Sequence, residues 1–137
     1  MITSNDELLK MSPNDYMNEE QILFFKAMLE QQKKEILHDM DNLRQDLIST
    51  EKNSDMSDVA TTYELQQLEL KRADRERKLL NKINKTLLTI NNGDYGYCEI
   101  TGDEIGLERM LARPTATMSI AAKERQEFKE KTMGTIA

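Results

Sequence analysis

Apolar residues in the first third of the chain recur along one narrow line. Ile22, Phe25, Leu29, Ile36, Met40, Leu43 and Leu47 fall at steps of 3, 4, 7, 4, 3 and 4, and neither Gly nor Pro interrupts Glu19 to Thr50. Such steps place a single seam on a helix, suited to one partner helix rather than to a broad core. Asn18, a residue type that caps helix N-termini, stands before Glu19, Glu20 and Gln21. Residues 51–58, Glu-Lys-Asn-Ser-Asp-Met-Ser-Asp, are polar breakers and cap formers, so the helix is expected to stop there. A second helix is expected to restart near Asp55 to Asp58 and to run to about Ile90. Its seam reads Leu65, Leu68, Leu79, Ile83, Leu87 and Ile90, with an almost wholly charged run from Lys71 to Lys78 in its middle. Two long helices joined by a short polar turn fold back as an antiparallel hairpin. At about 1.5 Å per residue its arm is roughly 50 Å long, more reach than stability alone requires.

Four of the five glycines lie between Gly93 and Gly106, so the helical pattern gives way to tight turns. The segment Asn91 to Gly102 reads as a compact knuckle of loops or short strands. Pro114 ends the stretch beyond the knuckle, and Ser119 to Lys131 reads as a last helix. The opening residues are polar and broken by Pro13, with Leu8, Leu9 and Met11 offering one amphipathic turn. The organisation expected is therefore mainly α. Residues 1–18 form a segment packing on a small globular head. Residues 19–91 form a long antiparallel coiled-coil hairpin with its tip at about 51–58. A zinc-finger-like knuckle at 92–118 and a C-terminal helix and tail at 119–137 complete it.

Composition narrows the classes of function. The chain has 137 residues, 32% of them charged, only 38% apolar and no Trp, which fits long helices better than a thick core. A net charge of −6 opposes duplex binding, which needs a basic face, so sequence-specific DNA binding is not expected. No stretch approaches the roughly 20 apolar residues of a membrane span, and Met1 to Lys10 does not resemble a signal peptide. A lone cysteine, Cys98, forms no internal disulfide, in keeping with a cytoplasmic protein.

Three groups of residues carry candidate chemistry. At the tip, Asp55 and Asp58 suffice as helix-start caps, and they could equally present carboxylates to a basic or metal-bearing partner. A hairpin tip offers no cleft to exclude water, so catalysis within this chain is not expected. In the knuckle, Cys98, Thr101, Ser119 and Ala122 occupy the spacing of a four-cysteine zinc site, but only one of them is a thiol. One thiolate does not hold structural zinc, so the head is expected to rest on Ile100, Ile105, Leu107, Met110, Leu111, Met118 and Ile120. Arg109, Arg113, Lys123, Arg125 and Lys129 surround the run Ala112 to Ala116, with Lys82 near the base of the arm. They read either as solvated charges or as an anion site. Cys98 could be a redox thiol, but a buried or inert cysteine is the expected reading, there being no neighbouring thiol or histidine in the sequence.

Four runs in order, Tyr16-Met17-Asn18-Glu19, Asp74 to Leu80, Gly93 to Glu99 and Ala112-Arg113-Pro114-Thr115-Ala116, resemble the DksA family. The resemblance extends from Tyr16 to about Lys131. It implies a non-enzymatic transcription regulator that inserts its hairpin into the secondary channel of bacterial RNA polymerase. With the alarmone ppGpp such proteins alter promoter-complex stability, repressing ribosomal RNA promoters in the stringent response. Carried over by position, the tip facing the polymerase active site falls on Asp55, Asp58 and Ala60. The coil residue touching polymerase falls on Arg75, and the residues sharing ppGpp fall on Lys82, Arg113 and Lys123. The degenerate positions Cys98, Thr101, Ser119 and Ala122 resemble the family's zinc-independent paralogues, so ppGpp is expected as co-regulator, with no resident cofactor and no metal. A monomer is expected. Rival readings are a Gre-like transcript-cleavage or anti-arrest factor, disfavoured by the knuckle and last helix, and a plain coiled-coil adaptor, which leaves the basic trio unexplained.

Overall fold

The computed structural model describes the backbone of residues 1–53 and 59–136. Helix α1 spans Asn5–Leu9 and a 3₁₀ turn spans Pro13–Asp15. The two long helices are α2, Glu19–Asn53, and α3, Val59–Asn92, followed by α4, Leu107–Ala112, and α5, Ile120–Ile136. The described residues contain no strand, only an isolated antiparallel bridge between Tyr97 and Glu104. The first long helix runs a turn further than its breaker-rich end suggests, through Glu51, Lys52 and Asn53. A short helix, α4, forms where the sequence signalled only turns. Two compact units result: residues 28–85 form an arm unit, and residues 1–27 with 86–137 form a head unit.

The start of α2 is fixed locally. Asn18 Oδ1 accepts the Gln21 N–H at 3.0 Å, and Gln21 Oε1 accepts the Met17 N–H at 2.9 Å. These reciprocal bonds satisfy donors that a helix start leaves orphaned.

In the arm unit the two long helices pack against each other. Helix α2 buries Leu29, Ile36 and Leu43, one heptad apart, as its spacing requires. On α3 the seam is not the one read from its leucines. Leu65, Leu68 and Leu79 are 49%, 62% and 42% exposed. The residues withdrawn from solvent are instead Thr62, Gln66, Glu69, Ala73, Glu76, Leu80 and Ile83, at steps of 4, 3, 4, 3, 4 and 3. The reason is continuity. Ile83 is fully buried, and a regular half-heptad line run back from it passes through Leu80 and Glu76, about one residue and 100° away from the leucines. Hydrophobicity marked the wrong positions because this stretch of seam is largely polar.

Glu69 exposes the cost of that seam. Its Oε2 is buried and has no hydrogen-bond partner among the described residues. Glu69→Leu should therefore stabilise the protein, by about 1–3 kcal/mol if the full desolvation penalty is relieved. Urea unfolding followed by helical signal measures it, and no gain would mean that this oxygen is solvated.

The head unit gathers both ends of the chain. Leu8 of α1 and Met110 of α4 are fully buried, and these two helices pack together. Phe25 and Tyr95, also buried, meet with ring centroids 5.6 Å apart. Of the apolar residues expected to hold the head, Ile105 and Met110 are buried, and Leu107, Leu111 and Met118 are half-buried. Ile100 and Ile120 are 62% and 55% exposed, because Ile100 sits on the outside of the knuckle turn and Ile120 at the open start of α5.

Candidate functional site

The knuckle is closed by backbone hydrogen bonds around Cys98. The Cys98 N–H donates to the Asp103 carbonyl at 2.7 Å, and the Gly102 N–H returns to the Cys98 carbonyl at 2.8 Å. Gly102 makes that turn at a φ of 77°, a conformation that L side chains rarely adopt. The Glu99 N–H donates to the Thr117 carbonyl at 2.9 Å, tying the turn to the segment before α5.

Tyr16 clasps the far side. Its hydroxyl donates to the Gly96 carbonyl at 2.5 Å and accepts the Gly106 N–H at 2.9 Å. Its ring meets Tyr97 edge-on at 5.7 Å. Gly96 sits at a φ of 88°, which L side chains rarely adopt, and a Cβ there would lie 2.7 Å from the Met17 side chain and force it to move. The Tyr95 hydroxyl donates to the Pro114 carbonyl at 2.9 Å. Burial pushes the phenols of Tyr16 and Tyr95 above their usual range, so both remain neutral donors.

Two of the other zinc-spaced positions, Thr101 and Ser119, act on the Cys98 sulfur. The Cys98 thiol is pulled down to about 6, chiefly by the Thr101 hydroxyl and then by the N–H groups of Ser119 and Thr101. Burial opposes this, and the Ile100 N–H adds a smaller share. The side chain is 3% exposed. Cys98 is thus buried, as the sequence suggested, and the donors around it favour its thiolate form. The signal was present as Thr101 and Ser119, whose donor groups have no meaning until folding aims them at one atom.

This donor set does not fit zinc. Cys98 supplies one sulfur, Thr101 Oγ1 accepts the Asp103 N–H at 3.3 Å, and Ser119 Oγ caps α5 by accepting the Ala122 N–H at 3.2 Å. Ala122 is buried and has nothing to coordinate with. Among the described residues no three His, Cys, Asp or Glu groups cluster. Neutral hydroxyls do not replace thiolates around Zn²⁺.

The remaining candidates divide between the units. In the arm unit, Ala60 is exposed in the first turn of α3, and Arg75 and Lys82 are exposed further along it. Asp55 and Asp58 lie outside the described residues. In the head unit, Arg113 is exposed at the end of α4, where its N–H closes the helix on the Arg109 carbonyl at 2.7 Å. Lys123 is half-buried in the first turn of α5, with its N–H on the Ser119 carbonyl at 3.0 Å. Arg109 is committed to structure, donating from Nε to the Met118 carbonyl at 3.2 Å.

Comparison with known proteins places this architecture. The model of the DnaK suppressor protein DksA N-terminal domain matches residues 21–90, and that of the prokaryotic dksA/traR C4-type zinc finger matches residues 93–128. The chain belongs to the DksA family. An RNA polymerase-binding transcription factor DksA from Caulobacter vibrioides is 43% identical over 120 residues, covering 85% of this chain and 82% of that protein. Its namesake in Escherichia coli is 41% identical over 120 residues, covering 87% and 80%. The solved structure of transcription factor DksA2 from Pseudomonas aeruginosa superposes with a TM-score of 0.88 at 42% identity. It covers 93% of this chain and 99% of that one. DksA relatives are non-enzymatic regulators by name, and the paired helices here are the DksA hairpin. The zinc-finger match covers a DksA knuckle with a single cysteine left. No helix among the described residues is long and apolar enough to cross a membrane.

Proposed function

We propose that this protein regulates transcription by binding RNA polymerase, entering its secondary channel with the paired-helix arm. The observation that carries this reading is the match to RNA polymerase-binding relatives along the arm and the head alike. The tip carboxylates Asp55 and Asp58, with Ala60, face the polymerase active site, and Arg75 touches polymerase from the coil. Lys82, Arg113 and Lys123 share ppGpp with polymerase, and the regulator works in the cytoplasm, as a monomer, without zinc. Cations on an acidic protein suit a tetraphosphate nucleotide, and charge-assisted contacts to phosphate are the strong kind.

In vitro transcription from a ribosomal RNA promoter, with and without ppGpp, tests the whole reading. Lys82→Ala and Lys123→Ala should leave basal repression in place and weaken the response to ppGpp. Each lost contact should reduce alarmone binding to the complex by roughly 1.5–3 kcal/mol. A ppGpp titration of promoter-complex lifetime reads this directly, and unchanged titrations in both variants would reduce the trio to surface charge.

A further inference from the structure

The outer half of α3 carries two lines that can close against α2, and only one is in use. The line in use runs from Thr62 by way of Gln66, Glu69 and Glu76 to Ile83, six steps over 21 residues. A mean step of about 3.5 residues marks a left-handed supercoil. Leu65 and Leu68 stand exposed beside it, while Glu69 Oε2 is buried without a hydrogen-bond partner among the described residues. Two leucines in water beside a carboxylate oxygen out of it are a local conflict that one motion relieves. Leu65 lies 18 residues before Ile83, five full turns of a straight helix at about 3.6 residues per turn. Straightening α3 therefore brings Leu65 onto the line of Ile83 and swings Leu68 toward it. Thr62 and Glu69 leave that line by about 60° and about 40°.

We propose that the outer half of the arm is a two-state coil. In one state it is supercoiled and closes on Thr62, Gln66 and Glu69. In the other it is straighter and closes on Leu65 and Leu68. Helix α2 suits both, because its side of the seam, Ile36, Met40, Leu43 and Leu47, is apolar and withdrawn from solvent throughout. The supercoiled state keeps the heptad spacing of Leu29, Ile36 and Leu43 in step with α3. The straight state sets leucines against that apolar line and returns the Glu69 carboxylate to water. Arg72 approaches the seam with them, and its stem can lie along it with the guanidinium outside. Ala60, in the first turn of α3, turns about the helix axis by roughly 60° between the states, so the exchange sets which way that end of the arm faces. The bearing of that turn on transcription rests on the proposed entry of the arm into polymerase, whereas the exchange itself does not.

Gln66→Asp with Glu69→Asp forces the choice, since a short carboxylate cannot reach water from the seam along its own stem. In the full-length protein with Cys98→Ala, Leu65→Cys reports the idle line by its rate of maleimide labelling. That rate should be near that of an exposed thiol. The Asp pair should slow it by about tenfold or more with the helical signal kept, as the leucine line closes. The same acids at exposed Gln67 and Leu70 measure their cost to the helix alone. A second readout needs no added thiol. Leu65→Gln with Leu68→Gln should leave the melting temperature of the parent protein unchanged, and should lower it by about 5 °C or more once the Asp pair is present. Three results would each overturn the proposal: an arm that the Asp pair melts beyond the Gln67 and Leu70 control, labelling that stays fast in a helical arm, or a leucine pair that costs the same in both backgrounds. Each leaves α3 with one seam and its leucines as a surface for a partner.

Discussion

Replacing Asp58 with asparagine is expected to abolish promoter regulation while leaving polymerase binding nearly intact. The two effects separate because contact with polymerase is spread along the arm, whereas the tip acts at one point at its end. Asp58 lies outside the described residues, and its role rests on its place in the DksA pattern and on its charge. As a helix-start carboxylate it is worth about 0.3–1 kcal/mol to the fold, so Asp58→Asn should unfold at nearly the same temperature as the parent protein. A loss of regulation together with retained stability and affinity would then be electrostatic in origin. Promoter-complex lifetimes and a polymerase affinity measurement on the same preparation decide it. Normal regulation by the variant would leave Asp58 as a helix cap and nothing more.

The second large effect expected is at Cys98. Its thiolate should titrate near 6, followed by its ultraviolet absorbance, where an ordinary thiol titrates near 9. It is the only cysteine, and burial pushes the Tyr16 and Tyr95 phenols above their usual range, further from that window. The lowered value sets the sign of the linkage. The unfolded chain holds its proton up to about 9, so the thiolate's stabilisation is fully present above that pH. It shrinks as pH falls and is lost as pH drops through about 6. Cys98→Ala should therefore be less stable than the parent protein in mildly alkaline buffer, with the gap closing below pH 6. A thiol titrating near 9 would show that the donors from Thr101 and Ser119 are not aimed at the sulfur. The same preparation should carry less than about a tenth of an equivalent of zinc, and chelator should leave its helical signal unchanged. Stoichiometric zinc by elemental analysis would sink the zinc-independent reading.

The hairpin was legible in the sequence because long helices announce themselves by period. Ile22 to Leu47 keeps its spacing without a breaker, and Phe25, Leu29, Ile36 and Leu43 are buried as that line requires. Asn18 and Gln21 cap the helix through local bonds that need no tertiary help. The missing thiols at 101, 119 and 122 could also be read directly, since coordination chemistry depends on residue type alone.

Tertiary structure decided what depends on groups far apart in the chain. The seam of α3 could not be chosen from its leucines. A coiled coil keeps one continuous line, and the buried Ile83 fixes which line that is, at the expense of Leu65, Leu68 and Leu79. Tyr16 carries no sign in sequence that its hydroxyl will join Gly96 to Gly106 across some 80 to 90 positions. The acidity of Cys98 is absent from its own segment for the same reason. Thiol acidity is set by the donors around the sulfur, and one of them, the Ser119 N–H, arrives from 21 residues away only when the chain folds. Period and residue type are properties of a segment, and they were readable. Burial, register and proton affinity are properties of an assembled neighbourhood, and only the folded chain supplies one.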